Sequence, residues 1–219
     1  MNVFDILGPV MIGPSSSHTA GAARIGRIAL ALLGAPAVKA EILLHGSFAK
    51  TYKGHGTDKA LIAGIMGMST DDSRIRNAFE IAEKSGLDVS ITTGEIDGAH
   101  PNTAKITLTD AAFNTVSLVG SSIGGGNIRV TEVNGMEVSF TGQNTTLIVL
   151  HKDAPGTIAA VTDVLSGAGV NICNFSLARE KKGGRAVMTI ELEEKFGPEL
   201  NEQIKGLKNV YSSTMLQPI

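Results

Sequence analysis

Apolar residues recur at helical spacing over residues 20–33, at Ala22, Ile25, Ala29, Leu32 and Leu33, and Gly34-Ala-Pro36 breaks the run. Residues 38–45 alternate instead, with Ala40, Ile42 and Leu44 on one face, which predicts a strand. Helices are predicted over 59–68, capped by Thr57 or Asp58, and over 72–84, with Ile75, Ala78, Phe79 and Ala82 on the apolar side and Ser85-Gly86 as the stop. Short strands follow at about 88–92, 105–109, 113–119, 127–132 and 136–140, the last two joined by a hairpin turn at Asn134-Gly135. Beyond Thr141-Gly-Gln-Asn144 a second pattern begins. A strand (145–150), a helix to residue 166 (Ile158, Val161, Val164, Leu165) and two strands (170–179 and 185–193) around Lys182-Gly-Gly184 precede a helix (198–207) and a last strand (210–216). That order, βαββαβ, is the ferredoxin-like arrangement, and the chain as a whole reads as α/β (α+β) with a division at 1–143 and 145–219.

Polar clusters interrupt the first pattern. Gly13-Pro-Ser-Ser-Ser-His-Thr19 stands directly before the first helix, where unpaired N–H groups and the positive dipole end favour an anion. One serine there would merely cap the helix; four hydroxyls and a histidine exceed what a cap requires. The stretch 46–58 reads as a loop carrying Ser47, Lys50, Lys53, His55, Thr57 and Asp58, with Gly54 and Gly56 on either side of His55. A polar surface loop is the plainer account of it; a histidine so placed is also suited to acid–base work. His100-Pro-Asn-Thr103 reads first as an ordinary turn, and Gly124-Gly-Gly126 either cradles an anion or permits close packing. No Gly-Lys-Ser/Thr follows those glycines, which excludes a P-loop.

Composition narrows the class. A length of 219 residues suits one large domain or two modest ones. A net charge of −2 without a Lys/Arg-rich run offers nucleic acid no electrostatic footprint, and the lack of tryptophan argues against base-stacking platforms. The single cysteine, Cys173, rules out an internal disulfide framework and points to a reducing compartment. An iron–sulfur cluster takes three or four cysteines, so this chain alone cannot hold one. Cys173 itself falls in a strand of the second pattern and is expected to be a buried structural residue. Residues 1–12 lack the basic start of a signal peptide, Asp5 interrupts them, and no run reaches membrane-spanning length. A cytoplasmic protein that binds neither nucleic acid nor membrane is expected.

The C-terminal segment resembles an ACT domain, a ferredoxin-like module that binds amino acids in metabolic enzymes, through Asp153-Ala-Pro-Gly156 and Gly169-Val-Asn-Ile172. The resemblance implies effector contacts at His151, Asp153 and Asn171, and pairing of two such modules into a homodimer. In amino-acid-binding examples an asparagine often stands where this chain has Asp153.

Over essentially its whole length the chain resembles the β subunits of the iron–sulfur-dependent bacterial L-serine dehydratases (L-serine ammonia-lyases). The motifs that carry the likeness are 13–19, 46–58, 100–103 and 124–126, in that order. A related fold serves as a regulatory anion-binding domain in some phosphoglycerate dehydrogenases, for whose dehydrogenase body 219 residues leave no room. The family likeness implies an N-terminal domain of allosteric-substrate-binding type and a separate α subunit that carries the [4Fe–4S] cluster. One iron of that cluster would act as Lewis acid on the substrate hydroxyl. It implies His55 as the base that removes the Cα proton, with His18 also catalytic. Ser15, Ser16, Ser17, Thr19, Ser47, Lys53, Thr57, Asp58, His100, Asn102 and Gly125 are the implied substrate contacts, and no metal ligand falls on this chain. A non-catalytic amino-acid sensor using both modules is the alternative, and a pyridoxal-phosphate lyase using Lys50 or Lys53 a more distant one.

Overall fold

The computed structural model describes residues 10–194 and 196–219, so most of the 1–12 stretch considered above lies outside the described residues. The chain divides into two compact units, Met1–Gly135 and Met136–Ile219. No helix among the described residues is long and apolar enough to cross a membrane.

In the first unit a single π-type turn, Ser16–Gly21, runs into helix α1 (Ala22–Leu33). Strand β1 (Ala37–His45), helices α2 (Gly46–His55) and α3 (Thr57–Ile65), a 3-10 turn (Ser73–Asn77) and helix α4 (Ala78–Lys84) follow. Strands β2 (Asp88–Thr93), β3 (Asn102–Asp110), β4 (Thr115–Gly124) and β5 (Asn127–Val133) complete it. Within this unit the strand order is β2-β1-β3-β4-β5. β1 and β2 are parallel, joined across by the helices, and the other neighbours are antiparallel.

Ile25 and Ile28 of α1 and Leu61, Ile62 and Ile65 of α3 are buried, as are Ile42, Leu44, Ile106, Leu108 and Leu118 of the sheet. Two glycines let the helices meet backbone to backbone. A Cβ at Gly26 would fall on the Leu61 carbonyl oxygen, and one at Gly64 on that of Ala23. This contact is why α1 is built from alanine and glycine on the side that faces α3.

The stretch 46–58, expected as a loop, is helical. Ser47 and Phe48 donate their backbone N–H groups to the Pro101 carbonyl at 2.7 and 3.3 Å, and the Phe48 side chain is fully buried. These long-range gains outweigh a glycine in the last turn, which costs about 1 kcal/mol relative to alanine. Gly56, at φ +70°, ends α2 and begins α3, so neither Thr57 nor Asp58 is the cap. The helix expected over 72–84 is split into a 3-10 turn and α4, the former started by Asp72 accepting from the Arg74 N–H. β4 continues beyond the predicted end at residue 119, through Ser121 and Ser122 to Gly124.

The second unit begins with β6 (Met136–Phe140). It continues through β7 (Thr145–Lys152), α5 (Thr157–Gly167), β8 (Ile172–Arg179), β9 (Arg185–Leu192), α6 (Pro198–Lys205) and β10 (Val210–Leu216). The last four strands after β6 form an antiparallel sheet in the order β10-β7-β9-β8. Leu147, Val149, Met188, Ile190 and Leu192 pack against Val161 and Leu165 of α5 and Leu200 and Ile204 of α6. This is the ferredoxin-like module that the hydrophobic pattern predicts.

Cys173 corrects one expectation: it is exposed, not buried. β8 is an edge strand, and its register shifts between Ile172 and Asn174, which takes the intervening side chain off the core face. Its Sγ lies against the Glu191 carbonyl at 3.2 Å, and partial burial followed by the nearby Glu191 charge pushes the thiol pKa up. A raised pKa disfavours the reactive thiolate.

Candidate active site

Three of the four motif segments meet around His18. Ser15, extended at φ −142° and ψ 125°, accepts from the His18 backbone N–H at 3.3 Å, and its Oγ lies 3.2 Å from His18 Nδ1. On the other side of the ring, Nε2 lies 3.1 Å from Thr51 Oγ1 and 3.4 Å from Ser47 Oγ. Thr51 donates its one hydroxyl proton to the Ser47 carbonyl at 2.8 Å. Towards His18 it therefore accepts, so Nε2 carries the ring proton and Nδ1 accepts from the Ser15 hydroxyl. Burial, followed by the neighbouring His55, holds the His18 pKa below the ordinary imidazole value, consistent with this neutral form. Ser15 thus caps the turn and orients a histidine at once.

His55 ends α2 and is exposed. Its ring meets that of His18 edge-on, with centroids 4.7 Å apart and planes at 81°. Phe48 closes the other side of His18 at 5.2 Å. The third segment joins through Pro101, whose carbonyl takes the first N–H groups of α2. A Cβ at Gly46, φ +60°, would collide with Pro101. His100 is exposed and its Nδ1 accepts from the Asn102 N–H at 3.1 Å.

Thr19, Lys53 and His55 line one cavity of about 290 Å³, together with Ile12, Gly13, Pro14, Gly54, Gly56, Lys59, Ile75 and Arg76. Asp58, in the first turn of α3, is buried, and burial raises its carboxyl pKa against the opposing pull of the Lys59 N–H (2.8 Å) and the Lys59 and Lys53 charges. Ser16 and Ser17 are half-buried on the π turn and do not line the cavity. Gly125 is exposed and also outside it. Its neighbour Gly126 accepts from Arg24 Nη1 at 2.8 Å, which ties the triple-glycine turn to α1. Positive φ at all three, +108°, +59° and +81°, explains the glycines by backbone conformation.

Among the described residues of this unit, the buried side-chain polar atoms without a hydrogen-bond partner are Thr19 Oγ1, Thr57 Oγ1, Asn102 Oδ1 and Ser122 Oγ. The first three belong to the motif segments, and Ser122 stands just before the glycines. Unpaired buried groups are uncommon, and Thr19 is the one of the four that also lines the cavity. Thr51, Lys59 and Arg76 were not singled out from sequence. Once 46–58 is seen as helix, the i, i+4 spacing of Ser47 and Thr51 places them on one face; nothing local marks Lys59 or Arg76.

In the second unit, His151 is buried, its Nδ1 2.7 Å from the Lys152 carbonyl and its Nε2 without a partner. Asp153 is engaged by the protein itself. Its Oδ2 accepts from the Gly183 N–H (2.9 Å) and Arg179 Nη1 (3.0 Å), and the Gly183 bond is the largest influence lowering its pKa. Asn171 donates to Glu193 Oε2 at 2.6 Å.

The fold and this site define a mixed α/β protein with a histidine- and hydroxyl-lined cavity followed by a ferredoxin-like module. Residues 2–93 match the serine dehydratase beta chain family, and residues 145–209 match the ACT domain. The chain is 45% identical to a probable L-serine dehydratase beta chain of Bacillus subtilis, covering 98% of this chain and 97% of that one. It is 37% identical to the L-serine dehydratase beta chain of Peptoniphilus asaccharolyticus, covering 94% of each. A D-3-phosphoglycerate dehydrogenase of Methanocaldococcus jannaschii is 28% identical over 85% of this chain, but only 35% of that protein is covered. The chain belongs to the L-serine dehydratase beta chain family and carries an ACT domain.

Proposed function

We propose that this chain is the β subunit of a two-chain L-serine dehydratase, converting L-serine to pyruvate and ammonia together with an α subunit. The near-full-length likeness to two beta chains favours this over a non-catalytic sensor. The observation that supports a catalytic role most directly is the His18–His55 contact, which joins two distant motifs at the cavity. His55 takes the Cα proton of serine, and the β-hydroxyl leaves as water. The resulting 2-aminoacrylate becomes an imine, which water hydrolyses to pyruvate and ammonia. Neutral His18 orients His55; of the implied substrate contacts Thr19 and Lys53 line the cavity beside it, while Ser15, Ser16, Ser17, Ser47, Thr57, Asp58, His100, Asn102 and Gly125 stand on the surrounding segments outside that lining.

An iron–sulfur cluster does not fit on this chain. Its one cysteine stands on the edge strand of the second unit, and the described residues hold no group of three or more histidine, cysteine or acidic side chains that could bind a metal. In this reading the α subunit carries the [4Fe–4S] cluster, and both subunits work in the cytoplasm. Residues 1–143 bind substrate and 145–219 regulate. Pairing of two ACT modules is supported by the open β8 edge, where Phe175 and Leu177 are 38% and 42% exposed.

Anaerobic reconstitution with the α subunit tests the proposal. Pyruvate should form from L-serine only in the mixture, and the mixture should lose that activity with His55→Ala. Full activity with His55→Ala would refute the catalytic role.

A further inference from the structure

The cavity beside His55 carries more positive charge than a base requires. Lys53 comes from the last turn of α2, Lys59 from the first turn of α3, and Arg76 from the 3-10 turn. No aspartate or glutamate lines it among the described residues. The Asp58 carboxyl interacts with the Lys59 and Lys53 charges but does not line the cavity, so an anion held there would meet all three cations directly. Thr19 supplies the independent observation: it is 2% exposed, lines the same cavity, and its Oγ1 has no hydrogen-bond partner. Backbone can also approach a ligand here, since a Cβ at Gly54 or Gly56 would meet nothing within 4 Å.

We infer that Lys59 and Arg76, with Lys53 and the Thr19 hydroxyl, form the oxyanion subsite that receives the carboxylate of the amino-acid substrate. This rests on the dehydratase reading, in which His55 faces Cα. The carboxylate is bonded to Cα, so it falls in the cavity His55 shares with the three cations. A volume of about 290 Å³ suits a small ligand. Lys59 and Arg76 act by binding and orienting, not by moving a proton.

Amide-resolved NMR titration of the full chain tests the subsite without needing turnover. L-serine should perturb the amides of Thr19 and Gly56, whereas L-serinamide, which lacks the carboxylate, should not; Arg76→Met and Lys59→Met should abolish the response and Arg76→Lys should restore part of it. Equal responses to both compounds, no response to either, or a response to inorganic phosphate alone would overturn the inference. In the reconstituted enzyme, each lost cation should raise KM for L-serine about 10- to 100-fold with kcat nearly unchanged, as for an interaction made equally in ground and transition states. An unchanged KM would overturn it as well. If wild-type enzyme makes no pyruvate from L-serine, the dehydratase reading fails, while the titration still decides the subsite.

Discussion

His18 and His151 are both buried, one in each unit, and they stand in opposite chemical settings. His18 has hydroxyls at both ring nitrogens, a second histidine at its edge and a depressed pKa. His151 has one neighbouring carbonyl and an Nε2 that meets no partner. A saturated, oriented imidazole is what a site needs from a positioning residue. A half-satisfied one beside a strand end contributes packing and leaves a polar atom available. The buried histidine of the first unit is thus held in a hydroxyl network, and that of the second is not. In the second, polar side chains mostly brace the module itself, as Asp153 braces the turn that contains Gly183.

Substitutions can break that comparison or sharpen it. The largest effect is expected at His55, where alanine should lower kcat of the reconstituted enzyme about 10²- to 10⁴-fold, the usual worth of a general base. Next comes His18→Ala, which strands the hydroxyls of Ser15 and Thr51 and should cost about 1–3 kcal/mol in urea unfolding. Smaller still is the pH dependence of stability. The folded pKa of His18 is depressed, so its contribution is complete above about pH 6.5, where an unperturbed histidine titrates. Below that pH the unfolded chain binds the proton first, and stability falls until the folded imidazole titrates too. His18→Gln should flatten this slope in unfolding curves measured from pH 7.5 to 5. The smallest effect belongs to His151→Phe, which removes an unpaired nitrogen and should change stability by no more than about 1 kcal/mol. If His151→Phe proved as damaging as His18→Ala, the contrast between the two histidines would be wrong.

The two units also differ in how far local pattern anticipates them. All six elements of the ferredoxin-like module lie close to their predicted places, because each shows a clear apolar face, even though β7 pairs with β9 and β10 and not with its chain neighbour β8. Gly54 and Gly56 give residues 46–58 the punctuation of a loop, whereas what makes the segment helical is the Pro101 carbonyl, far away in the chain. Cys173 departs from its pattern for a related reason. Alternation predicts which face a strand residue takes, but a register shift at an edge strand changes it without a local signal.

From sequence alone come the mixed α/β class, the βαββαβ order of the second unit and the chemistry-bearing residues His18 and His55. Periodicity and residue type are local properties of the chain, so they are visible before it folds. Tertiary structure decided that His18 and His55 touch, that Thr51 sets the His18 tautomer, and that Lys59 and Arg76 share a cavity with His55. These are contacts between segments that only the packed core brings together, and no spacing along the chain encodes the distances between them.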